Sequence, residues 1–184
     1  MKLEEVAQVS IGVLASREIS MVGENEYRIF NLKNYDAKEE YEEVHTLKNF
    51  DDKLTKEKDL LIRLVSPNRI VYIDETMENL LVPSQMCIIR PNRKKINSEF
   101  LKWYLESDMG KEKIMLNLTG SSIQKISVAA LRKLEIPVLD LEKQNTITDL
   151  IKLWKKEKET LQNVIDQKDI LYNALISEII EKEG

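Results

Sequence analysis

Two hydrophobic rhythms divide this chain. Up to about residue 139, apolar residues come in short blocks bounded by Pro, Asn, Asp or Gly. Beyond Asp140 they recur every three or four positions, the spacing of a helical face. Written in sevens, one column reads Ile147, Trp154, Leu161, Lys168, Leu175 and a second Leu150, Glu157, Val164, Leu171, Glu178. A third reads Ile151, Lys158, Ile165, Tyr172, Ile179. The stripe is wider than a two-column seam and carries a charged interruption at 155–159. Asp140 suits the N-cap, just after the helix-averse Pro137, and no Gly or Pro follows before Gly184. A helix of about 40 residues is about 60 Å long, more than one small domain can cover. The pattern therefore predicts a domain over 1–139 and an exposed helical arm over 140–184 that needs a second helix against it.

Within the domain the blocks read mostly as strands. Residues 3–9 form a short helical turn or the lead into a strand, and 9–13 look extended, with Gly12 at a turn or bulge. Residues 27–32 alternate like a strand, 33–36 close it with turn chemistry, and the acidic stretch 36–43 reads as a solvated loop. Residues 59–65 make the strongest strand, with a turn at Ser66-Pro67-Asn68-Arg69 and a hairpin partner at 70–73. Residues 80–83 lead to a buried strand over 86–90. Asn97 or Ser98 then caps one helix from about 99 to 113, with Phe100, Leu101, Tyr104 and Leu105 on one face. A small Gly-Ser loop at 118–124, one helical turn at 128–131 and a last strand at 134–138 complete an α+β domain with a mixed or antiparallel sheet.

Composition narrows the class. Hydrophobic residues are 42% and charged residues 33%, which fits a soluble globular protein, and no apolar run reaches the roughly 18 residues of a membrane span. A lone cysteine, Cys87, suits a reducing, cytoplasmic setting. The net charge of −4 argues mildly against nucleic acid, but its distribution does not. Residues 83–133 carry 10 Lys/Arg against 4 Asp/Glu, a basic segment between two acidic ones. Random clustering on a solvated surface accounts for that as readily as a phosphate-binding face.

Catalytic chemistry finds no support. One histidine, His45, read as a surface residue, and one cysteine give neither a Cys/His zinc site nor a Ser-His-Asp or Cys-His triad. There is no P-loop or GxGxxG motif, and five glycines are too few for a cradle built on several. Asp51-Asp52-Lys53 is a charge cluster that arises easily by chance in so charged a chain. The reading is a binding or scaffolding protein without catalytic residues, metal or cofactor.

The block Thr119-Gly120-Ser121-Ser122-Ile123-Gln124-Lys125-Ile126-Ser127, then Leu131, Leu134-Glu135-Ile136-Pro137-Val138, Gln144 and Ile147, resembles the specificity (S) subunit of type I restriction–modification systems. Residues 2–12 look like that family's domain opening, and Val82-Pro83-Ser84-Gln85 also fits. Lys58-Asp59-Leu60-Leu61 resembles its Gly-Asp-x-Leu strand, with Lys58 where Gly is common. The resemblance implies a target-recognition domain that reads double-stranded DNA, and a spacer helix packed antiparallel on a second one. It also implies methyltransferase (modification) subunits, and a restriction subunit beyond them, as partners that supply the chemistry. Family members carry domain and helix twice; this chain carries each once. That is the pattern of a half-subunit homodimerising through Ile147, Ile151, Trp154, Leu161, Val164, Ile165, Leu171, Leu175 and Ile179, or of a fragment of a longer S subunit.

Under that resemblance three polar clusters are candidates for DNA. Arg93, Lys94 and Lys95 suit phosphates. Ser121, Ser122, Gln124 and Lys125 lie on a loop that can approach the backbone, and Gln124 carries the donor–acceptor pair for an adenine edge. Ser66, Asn68 and Arg69 form a polar hairpin tip, with Arg69 suited to a guanine edge or a phosphate. Lys33 and Asn34 are weaker candidates. Each cluster has a plain alternative as an ordinary exposed turn. Two rival classes stand beside it: a protein-interaction module with a dimerising helix that never meets DNA, which a salt titration of binding separates, and an enzyme with an unrecognised site, which the single His, the single Cys and the lack of a cofactor motif disfavour.

Overall fold

The computed structural model describes residues 1–14, 23–30, 41–137 and 139–183. Lys33, Asn34, the turn at 33–36 and Val138 lie outside the described residues. Two compact units emerge, Met1–Gln144 and Asn145–Gly184.

The first unit is built on a four-stranded antiparallel sheet. Its order is β1 (Ala7–Ile11), β7 (Met86–Pro91), β4 (Leu60–Arg63), β5 (Ile70–Tyr72). The central strands are nearly continuous apolar runs because both their faces are covered. Leu61, Met86 and Ile88 share one face and a core with Phe30, Ile73, Met77, Leu80 and Val82. Leu60, Ile62, Cys87 and Ile89 alternate to the other face and are equally buried. Burial pushes the Cys87 thiol up to about 12, so it remains protonated at neutral pH.

A second sheet has the order β3 (Glu42–Thr46), β2 (Asn25–Ile29), β6 (Leu80–Leu81). β2 runs antiparallel to β3 and parallel to β6. Its core gathers Val13, Tyr27, Ile29, Val44, Phe50 and Leu81. Leu80 and Leu81, adjacent in sequence, face the two different cores. Gly12 allows the chain to pass between the sheets, since a Cβ there would lie 2.2 Å from the Val82 carbonyl oxygen.

The short helix α1 (Leu3–Val6) opens the chain, closed by the Lys2 N–H donating to Glu5 Oε2 at 2.8 Å. Two helices follow β7. Asn97 caps α2 (Ser98–Glu106) by accepting from the Glu99 and Phe100 amides, and buries Phe100, Leu101, Tyr104 and Leu105 as the periodicity requires. Ser107 then caps α3 (Asp108–Met115) by accepting from the Gly110 amide. After it come a two-stranded hairpin, β8 (Leu118–Thr119) with β9 (Lys125–Ile126), and α4 (Val128–Arg132), capped by Ser127.

The last helix, α5 (Leu141–Glu183), spans 43 residues, about 64 Å. Asp140 caps it by accepting from the Lys143 amide at 2.9 Å. The Lys143 ammonium beside it holds the Asp140 carboxyl below its usual range. Within the second unit Leu150, Trp154, Leu161, Val164, Ile165, Leu171, Leu175 and Ile179 are all exposed. The mixed α+β class with a long C-terminal helix is the one that the hydrophobic pattern predicts.

Three expectations are corrected. The helix expected over 99–113 is two, broken at Ser107, whose hydroxyl donates to the Tyr104 carbonyl while it caps the next helix. Of the solvated loop expected over 36–43, residues 36–40 lie outside the described residues, and its end is β3 from Glu42 onward, an edge strand whose exposed Glu42 and Glu43 disguise it. His45, read as a surface residue, is half-buried on that strand opposite Glu26. Residues 134–136 form no strand. They hydrogen-bond to the chain's start, Leu3 N to Leu134 O and Ile136 N to Met1 O, with a single bridge between Lys2 and Glu135.

Candidate nucleic-acid interface

Two of the three polar clusters meet. The tip that joins β4 to β5 is held by the Asn68 amide, which donates to the Arg63 and Leu64 carbonyls at 2.9 and 3.2 Å. The β8–β9 loop turns at Gly120, whose φ of +106° is one that L side chains rarely adopt. Backbone bonds then stitch the two together: Ser66 N to Gln124 O and Ile126 N to Leu64 O, both 2.9 Å. Ser66, Arg69, Ser121, Ser122, Gln124 and Lys125 are exposed on this joined rim.

The rim borders a cleft of about 1040 Å³ whose lining includes Asn68, Arg69, Tyr72, Lys102, Lys111 and Gln124. Lys102 is ion-paired to Glu106 at 2.6 Å, and the lining also carries the cationic side chains of Arg69 and Lys111. Burial holds the Tyr72 phenol above its ordinary range, with Glu99 and Glu57 adding to it, so it acts as a neutral donor or acceptor. Tyr72, Lys102 and Lys111 escape sequence reasoning. The break at Ser107 brings α3 against α2 and Lys111 to the cleft, whereas one unbroken helix predicts no such return.

Arg93, Lys94 and Lys95 lie elsewhere. β4 and β7 are antiparallel, and Arg63 pairs with Met86 while Leu60 pairs with Ile89. The hairpin tip follows Arg63, and Arg93–Lys95 follow Pro91, so the two sit beyond opposite ends of the sheet. Arg93 donates to the Glu57 carbonyl at 2.9 Å and the Lys95 ammonium to the Glu5 carbonyl at 2.8 Å. The basic segment is therefore not one surface. Arg90 grips the Asp59 carboxylate through Nε and Nη2 at 2.9 and 2.7 Å, and Arg132 donates to the Val9 carbonyl. Among the described residues no His, Cys, Asp and Glu group could hold a metal ion, and no helix is long and apolar enough to cross a membrane.

Several motif residues serve the scaffold. Lys58, where the resembled family commonly has Gly, has φ +71°, and Asp59 beside it is the buried partner of Arg90. Gln144 is fully buried. Its amide donates to the Leu139 and Lys95 carbonyls at 2.7 and 3.1 Å, and its oxygen accepts from the Asn97 amide at 2.8 Å.

A family model described as the type I restriction modification DNA specificity domain matches residues 1–168. A search of curated proteins gives no match. Among solved structures, the chain is similar to the type I restriction–modification S subunit from M. genitalium, at 18% identity and TM-score 0.56, over 90% of this chain and 41% of that one. It is similar to a chain from a study of complex assembly and conformational transition in the type I R-M system, at 17% identity and TM-score 0.66, over 89% and 40%. The HsdS subunit from Thermoanaerobacter tengcongensis matches at 15% identity and TM-score 0.67, over 89% and 43%. At these identities the likeness is one of fold, and the chain spans about two-fifths of the length of each.

Proposed function

Because the chain belongs to the type I restriction–modification DNA specificity family, we propose that it recognises double-stranded DNA as a half-length specificity subunit. Residues 1–139 form the target-recognition domain, and residues 140–184 the spacer and dimerisation helix. The observation that carries this reading is the extent of the family match, which takes in the whole domain and most of α5.

Two domains held on paired helices read a bipartite, palindromic site. Each reads few base pairs and binds weakly alone; together they bind at high effective concentration. The joined rim of Ser66, Asn68, Arg69, Ser121, Ser122, Gln124 and Lys125 meets the duplex. Arg69 and Gln124 have the chemistry for base edges, and the serines and Lys125 for the backbone. Arg93, Lys94 and Lys95 add phosphate contacts at a second place. The homodimer docks methyltransferase subunits, which supply catalysis, with the restriction subunit joining that assembly. The chain itself is non-catalytic and works in the cytoplasm.

The test is a selection from random duplex DNA by the chain together with its methyltransferase subunits, followed by binding at several salt concentrations. A palindromic bipartite consensus is expected, with affinity falling steeply as salt rises. Arg69→Ala is expected to weaken the selected site by about tenfold and to relax one position of the consensus. Salt-independent binding, or no enriched sequence, overturns the DNA reading in favour of a protein-interaction module.

A further inference from the structure

The apolar stripe of α5 contains charges that its own helix does not neutralise. In the strict two-column seam the charged members are Glu157, Lys168 and Glu178. Glu178 is ion-paired to Lys182 one turn on. Glu157 has Leu153, Trp154, Thr160 and Leu161 at the helical neighbour positions, and Lys168 has Val164, Ile165, Leu171 and Tyr172. Neither has an opposite charge within reach along its helix, and both are exposed in the second unit. Any partner helix that covers the stripe must therefore bring a cation to Glu157 and an anion to Lys168, or leave both buried and unpaired.

A second copy of this helix meets both demands in one arrangement. Glu157 lies five residues before Gln162, and Lys168 lies five residues after Asn163. A two-fold axis between Gln162 and Asn163, with the helices antiparallel, exchanges the two positions. The same axis sets Leu161 against the partner's Val164, Trp154 against the partner's Leu171 and Leu150 against the partner's Leu175. Parallel, in-register pairing sets Glu157 against the partner's Glu157 and Lys168 against the partner's Lys168, which repel. We propose that α5 pairs antiparallel with a second copy, in the register in which Glu157 of each copy meets the partner's Lys168. This rests on the homodimer reading above and adds to it the register, set by two symmetry-related ion pairs. The two Asn145 positions are then about 52 Å apart along the helix pair, the length of roughly 15 base pairs.

The experiment is the dimer dissociation constant of the full chain, by sedimentation, for the wild type, Glu157→Lys, Lys168→Glu and the double variant. Helix content by circular dichroism accompanies each. In the proposed register each single variant creates two like-charge contacts and raises the constant by about tenfold or more. The double variant re-creates both pairs with reversed polarity and returns it to near the wild-type value. An equimolar mixture of the two single variants forms heterodimers in preference to either homodimer. A wild-type dimer whose single variants associate unimpaired, or whose double variant stays weak, overturns the register and leaves dimerisation standing. A wild-type monomer overturns dimerisation itself and points to a helix from another chain as the occupant of the stripe.

Discussion

The two units handle their apolar residues in opposite ways. In Met1–Gln144, Leu60, Leu61, Ile62, Ile89 and Leu101 are wholly buried, and the charges among them are paired, as Asp59 is with Arg90. In Asn145–Gly184, Trp154 is 57% exposed, Leu161 58% and Leu171 54%. The first set of contacts is complete within the chain, and the second is half of an interface in the dimer that we propose. A buried hydrophobic residue in the domain thus bears on stability, whereas an exposed one on α5 bears on the association proposed above.

The contrast can be tested from both sides. Leu161→Asp with Leu171→Asp places carboxylates in the seam, which raises the dimer dissociation constant on the order of a thousandfold. Light scattering should show a monomer whose domain still unfolds at the wild-type temperature. Asp59→Ala does the reverse. It strands the Arg90 guanidinium, which is 27% exposed, and costs the domain about 3 kcal/mol in urea unfolding while the dimer persists. Gln144→Ala leaves two carbonyls and one amide of the domain without their partner, at about 2 kcal/mol by the same measurement. Lys58→Gly sharpens the comparison with a gain. It relieves the left-handed backbone at φ +71° and raises domain stability by about 0.5–1 kcal/mol with no change in association. A change in dimer affinity from Asp59→Ala or Lys58→Gly would break the division.

What the sequence disclosed follows physical lines. The β4–β5 hairpin was legible because an apolar run and a Ser-Pro-Asn turn carry their own signals. The long helix was legible because its period persists over forty residues with no breaker. The division at Ser107 was not, since Ser-Asp has no Pro or Gly to stop a helix and the break depends on local capping. β3 was hidden by Glu42 and Glu43, charges that an edge strand tolerates and a loop prefers. Residues 134–136 have the composition of a strand, but their partners are Met1 and Leu3, at the far end of the sequence. The candidate rim shows the same limit. Its two loops were each visible, but their meeting rests on bonds from Ser66 to Gln124 and from Ile126 to Leu64, which no local pattern encodes.

Gln144 has a mechanical consequence. Its one carboxamide ties the end of the first unit by three hydrogen bonds to two separate stretches of backbone, Lys95 and Asn97 in one and Leu139 in the other. A force applied at Asn145 is therefore divided among three short tethers that meet in a single side chain. Tethers in parallel share the load until one gives way, and the others then fail almost at once. Pulled by an optical trap, this junction should hold and then let go in one abrupt rupture, without a gradual peel.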